Sequence, residues 1–112
     1  MLGARAAVLH DLAARGYGGP LEVDVVEDAL VARRWWVASW PAGAAFLAGQ
    51  VAQDVQERLR DDHEQSWPVC AAQECPAPEV HELHIDPDLG PDPHWVCQTS
   101  GIRVARLGTL SG

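Results

Sequence analysis

The chain has 112 residues, enough for one domain with a modest core, and 47% of them are hydrophobic, which excludes disorder throughout. Sixteen acids stand against eight bases, all of them arginine, for a formal charge of −8. With that balance and no basic block, nucleic acid and anionic membranes are not expected as partners, because binding to phosphate is driven by neutralising its charge.

No apolar run approaches the ~20 residues of a membrane span. His10 and Asp11 interrupt the apolar N-terminal stretch, so no signal peptide is expected. Three cysteines, an odd number, fit a disulfide framework poorly, and the expected compartment is the reducing cytoplasm.

Leu2, Ala6, Leu9 and Ala13 recur at three- and four-residue spacing and predict a short helix stopped by Gly16. Tyr17-Gly18-Gly19-Pro20 reads as a loop. Leu21, Val23 and Val25 alternate with Glu22 and Asp24, the pattern of a half-buried strand. After a turn at Glu27-Asp28, the stretch from Ala29 to Trp40, rich in Val and Trp, reads as a second strand. Pro41 ends it and Gly43 marks a turn.

Ala44 to Asp62 predicts the main helix. Leu47, Val51, Val55 and Leu59 repeat every four residues, and Phe46, Ala48 and Ala52 widen the stripe. Asp54 and Arg58 are spaced to pair on its wet face, and the helix is expected to pack on the hairpin. Asp61-Asp62-His63-Glu64 sets negative charge against the macrodipole at the C-terminal end, which predicts fraying or a nearby cation. Alternation over 79–86, then 94–97 and 102–107, predicts three short strands. The expected fold is α+β: a small antiparallel sheet, one main amphipathic helix, a short N-terminal helix and a β-rich C-terminal lobe carrying Cys and His. It forms one domain, 1–112, with a helix–hairpin–helix part over 1–66 and the Cys/His lobe over 67–112.

That lobe holds all three cysteines in the spacing C-x4-C-x5-H-x2-H-x12-C. Zinc takes four tetrahedral donors from thiolate and imidazole. Cys70, Cys75 and Cys97 with one histidine would supply them as a closed, structural site. His81 and His84 face opposite sides of a regular strand, so only one can serve a single ion. His81 is preferred, His84 is the alternative and His94 ranks third. The competing readings are buried cysteines acting as small hydrophobes and a Cys70–Cys75 disulfide. Asp86, Asp88 and Asp92 suggest calcium only weakly, since the loop lacks the EF-hand pattern.

Trp35, Trp36 and Trp40 cluster in sequence. They read either as core filling or as an exposed aromatic surface for a partner. Adjacent Trp35 and Trp36 would point to opposite sides of a strand, leaving one to be covered by another layer or a second chain.

Trp67-Pro68-Val69-Cys70, His81-Glu82-Leu83, Trp95-Val96-Cys97 and the closing run from Val104 to Leu110 resemble the layout of small uncharacterised bacterial proteins of actinobacterial type. The cysteine-histidine portion resembles a degenerate zinc ribbon. In place of the proline usual after the first knuckle cysteine stands Ala71. The resemblance implies no established activity.

These features favour a small interaction or adaptor domain that meets a protein partner or a second copy of itself, with a structural zinc. The alternative is a small metal- or cysteine-dependent enzyme, with Glu74, Glu79 or Glu82 as base or with a Cys-His nucleophile pair. It lacks the H-E-x-x-H and deaminase signatures and any third orienting group.

Overall fold

The computed structural model describes residues 2–71, 75 and 79–111. Three helices, α1 (Leu2–Ala14), α2 (Pro20–Ser39) and α3 (Leu47–His63), are followed by a small sheet of β1 (His84–Asp86), β2 (His94–Val96) and β3 (Arg103–Arg106). The architecture is α+β with a short N-terminal helix.

α1 ends as expected at Gly16, which lies at φ +84 where a side chain would be strained. The amides of Gly16 and Tyr17 donate back to the carbonyls of Ala13 and Leu12, closing the helix in a Schellman motif. Its buried face, however, is Ala4, Val8, Asp11 and Leu12, while Ala6 and Ala13 are exposed. In a helix this rich in alanine, apolar spacing alone does not settle which stripe turns inward.

The expected hairpin over 21–40 is instead the single helix α2. Its buried residues, Glu22, Val25, Val26, Ala29 and Leu30, follow a 3.6-residue period. The five-residue alternation from Leu21 to Val25 was too short a window to tell that period from 2. Pro20 at the first helical position is a start signal, and the proposed turn at Glu27-Asp28 contains no residue that breaks a helix. α3 therefore packs on a helix, where a hairpin was expected.

A 3₁₀ segment, Pro41–Phe46, joins α2 to α3. Trp36 and Trp40 meet edge to face at 5.5 Å, and Trp40 lies 5.7 Å from Phe46. Gly43 is required beneath Trp40, because a Cβ there would stand 2.5 Å from the ring. Gly43→Ala is expected to displace the ring and to cost about 1–2 kcal/mol. A thermal melt with tryptophan emission checks this; an unchanged melt would show that the corner does not depend on Trp40.

In α3, Leu47, Val51, Ala52, Val55 and Leu59 form the buried stripe, in agreement with the sequence. The helix runs through its acidic end to His63. Arg58 pairs with Asp62 at 3.0 Å and with Asp28 of α2 at 3.5 Å, and Arg60 pairs with Asp61. Asp54 is taken by Arg33 of α2, not by Arg58 as its spacing suggested.

The strands form an antiparallel meander in the order β1-β2-β3, with Ile85 opposite Trp95 and Trp95 opposite Ala105. Leu83, Ile85 and Trp95 turn into the helical core. Trp95 meets Trp67 edge to face at 5.2 Å, and both rings are fully buried. Large aromatic area thus fills a core too short of residues to do so otherwise.

Candidate metal centre

Segments 68–70 and 81–83 run antiparallel. Cys70 N–H donates to the His81 carbonyl and Leu83 N–H to the Pro68 carbonyl, both at 2.8 Å, and Val69 faces Glu82. This short ladder sets Cys70 beside His81. The buried amide of Gln56 on α3 donates to the carbonyls of Trp67 and Leu83 and holds both segments to the core. Arg15 at the end of α1 donates to the Val69 carbonyl at 2.7 Å. Cys97 follows β2 and is fixed by a tight loop, its amide donating to the Ile102 carbonyl and its carbonyl accepting from Gly101.

The ligand atoms of Cys70, Cys75, His81 and Cys97 lie within 4.8 Å of one another. Cys97 Sγ is 3.5 Å from Cys75 Sγ and 3.5 Å from His81 Nε2, and Cys75 Sγ is 3.6 Å from the same nitrogen. No disulfide joins the three cysteines. Cys97 is buried and the other three are half-buried. His81 Nδ1 sits 3.1 Å from the Glu79 carbonyl. A hydrogen on Nδ1 donated there leaves the Nε2 lone pair facing the sulfurs, the arrangement by which an outer partner orients a ligating imidazole.

His84 stands on the exposed face of β1, outside the group, and His94 hydrogen-bonds the Asp92 carbonyl instead. Alternation along the strand therefore separates His81 from His84. Among the described residues this is the one gathering of three or more such ligands. Asp86, Asp88 and Asp92 do not converge, and Asp92 pairs with Arg106 at 2.7 Å.

The electrostatics attract positive charge. The Cys97 thiol is pushed down to about 5, chiefly by the Ser100 hydroxyl and next by His81. The His81 imidazole is in turn held above its usual value by Cys97 and then by the Glu79 carbonyl. A lowered thiol beside a raised imidazole is a pair that shares a proton whose place a metal cation can take.

The carboxylates offered as bases do not join the group. Glu82 is turned toward Arg60, and burial raises its carboxyl above the ordinary range. Glu79 is exposed and contributes its carbonyl, and Glu74 lies outside the described residues.

Sequence reasoning missed Asp11, which ties α1 to this lobe. Its carboxylate is fully buried. It accepts from Trp95 Nε1 at 2.8 Å, Gly108 N at 2.7 Å and Leu110 N at 3.0 Å. Gly108 is at φ +95, and an added Cβ would press on Ala7 at 3.1 Å. Once Ala4, Val8 and Leu12 are known to face inward, Asp11 falls on the same helical stripe, and a lone acid there needs buried donors.

Of Trp35, Trp36 and Trp40, read as core filling or as an exposed surface, the last two meet. Trp36 is half-buried, with Arg33 stacked over it at 5.4 Å, and it contacts Trp40, which is 40% exposed. Trp35, 66% exposed, lines a separate groove between α2 and α3. No described helix is long and apolar enough to cross a membrane.

The profile of a domain family of unknown function, DUF8819, matches residues 1–107, and the chain belongs to that family. No curated protein and no solved structure matches the chain.

Proposed function

We propose that this member of the DUF8819 family is a small, non-enzymatic interaction domain whose C-terminal lobe is closed by a structural zinc ion on Cys70, Cys75, His81 and Cys97. One observation carries the metal reading: two sulfurs and one imidazole nitrogen stand at the edge lengths of one face of a tetrahedron, and the third sulfur, of Cys70, lies within 4.8 Å of each. Zinc–sulfur and zinc–nitrogen bonds of ordinary length give edges of about 3.8 Å between sulfurs and about 3.6 Å between sulfur and nitrogen. The separations of 3.5, 3.5 and 3.6 Å match them closely. Thiolate-rich donors favour zinc over the hard cations. Four protein ligands leave no position for water, so the ion staples the lobe and activates nothing. On this reading the lobe is a degenerate zinc ribbon, and the reduced thiols suit a cytoplasmic setting.

A second reading draws on the Cys97–His81 pair, a lowered thiol beside an imidazole. The burial of Cys97 weighs against a nucleophile there, since substrate has no approach to its sulfur.

Protein purified without an affinity tag or added metal is expected to contain about one equivalent of zinc by elemental analysis. His81→Ala is expected to lower zinc affinity at least tenfold, and His84→Ala to leave it unchanged. The reverse pattern would transfer the ligand role to His84. Folded wild-type protein without zinc would sink the metal reading.

A further inference from the structure

We propose that the groove between α2 and α3 binds an arginine-bearing segment of a partner protein, with a guanidinium stacked on Trp35 and the α3 carboxylates facing its charge. This rests on the reading of the chain as an interaction domain and names the chemistry of the partner. The groove encloses about 440 Å³ and is built from elements other than those that carry the metal ligands. Ala29 and Ala32 supply its α2 wall, where small side chains leave a concavity. Trp35, an aromatic ring two-thirds exposed, is among the lining residues.

The charge of the groove selects the occupant. Five carboxylates line it against two guanidiniums, those of Arg33 and Arg58. Both arginines are already engaged, Arg33 by Asp54 and Arg58 by Asp28 and Asp62. Arg60 reaches Asp61 from outside. Glu57 has no ion pair within 4.0 Å among the described residues. The groove therefore carries uncompensated negative charge in a chain whose formal charge is already −8. A second copy would bring its own negative charge to this face, and phosphate groups would be repelled outright.

The choice of arginine over lysine follows from geometry. A planar guanidinium can lie on an indole face and still present paired N–H donors to a carboxylate, whereas an ammonium acts as a point charge. The protein shows the same arrangement beside the groove. Arg33 lies 5.4 Å over Trp36 and gives two hydrogen bonds, of 2.7 and 2.9 Å, to Asp54. Trp35 offers an aromatic face, and Glu57, though its charge reaches Arg33, offers a carboxylate that makes no ion pair within 4.0 Å among the described residues.

The test uses the full chain, loaded with zinc, and fluorescein-labelled octa-arginine, octa-lysine and octa-glutamate, read by anisotropy at low and moderate salt. Octa-arginine is expected to bind at least fivefold tighter than octa-lysine, and octa-glutamate not at all. Trp35→Ala is expected to weaken octa-arginine at least tenfold and Glu57→Gln several-fold. Trp40→Ala, away from the groove, is expected to leave binding unchanged. Equal affinity of Trp35→Ala and wild type would reduce the effect to net charge and overturn the proposal. So would a dimer, seen by sedimentation, that excludes the peptide and dissociates on Trp35→Ala. Zinc is measured on the same samples. Failure of zinc-loaded protein to bind peptide counts against the groove alone, and peptide binding by folded, zinc-free protein counts against the metal lobe alone.

Discussion

Cys97→Ser is expected to empty the metal site and to lower the melting temperature by about 10–20 °C. A ligand bound at 100 to 1,000 times its dissociation constant adds about 3–4 kcal/mol to folding, and loss of that much in a domain near 100 residues shifts the melt by this amount. The serine hydroxyl is not ionised at neutral pH and is a poor zinc ligand, while it is close enough in size to leave Trp95 and the Ile102 loop in place. The helical core should survive, because its stripe of Leu47, Val51, Val55 and Leu59 does not depend on the ion. Elemental analysis and a thermal melt with and without chelator check the result together. Chelator should bring wild type down to the variant and leave the variant unmoved. A variant that keeps its zinc would remove Cys97 from the ligand set.

Asp11→Ala is the other substitution with a large expected effect, about 4 kcal/mol. It would leave the indole N–H of Trp95 and the amides of Gly108 and Leu110 without their acceptor. Buried donors stripped of a charged partner lose hydrogen bonds worth about 1.5–3 kcal/mol each, partly recovered as water enters. Asp11→Asn should cost about half as much. One amide end still accepts, while the other turns N–H groups toward N–H groups. Urea unfolding of the three proteins gives the order. If Asn and Ala variants unfold at the same midpoint as wild type, the carboxylate does not anchor the lobe.

The parts of this fold that could be read from the sequence share a physical cause. α3 was legible because its apolar stripe runs against a dense charged face. The candidate ligands were legible because all three cysteines fall within one segment with three of the five histidines, and strand alternation allowed only one of His81 and His84 to join them without deciding which. α2 was not legible as a helix, because its five valines and paired tryptophans carry strand propensity, and only burial over twenty residues exposes the 3.6 period. The geometry expected of the tryptophans changed for the same reason, since adjacent residues on a helix diverge by about 100° and not 180°. Asp11 was passed over because two of its partners are backbone amides, which leave no mark in sequence, and they lie 97 and 99 residues away.

That separation bears on the order in which the chain can assemble during synthesis. The residues of α1, α2 and α3 are complete by His63. A nascent chain of that length could bring the three helices together, but the face of α1 that must turn inward carries a charge whose donors at 95, 108 and 110 have yet to emerge. Early docking would bury a carboxylate with only the half-exposed His10 ring, 2.9 Å away, as a side-chain partner, so firm seating of α1 is expected only after residues 95–110 are made. Seating of α1 is then expected to be a late step, closed by a contact between residues 99 positions apart.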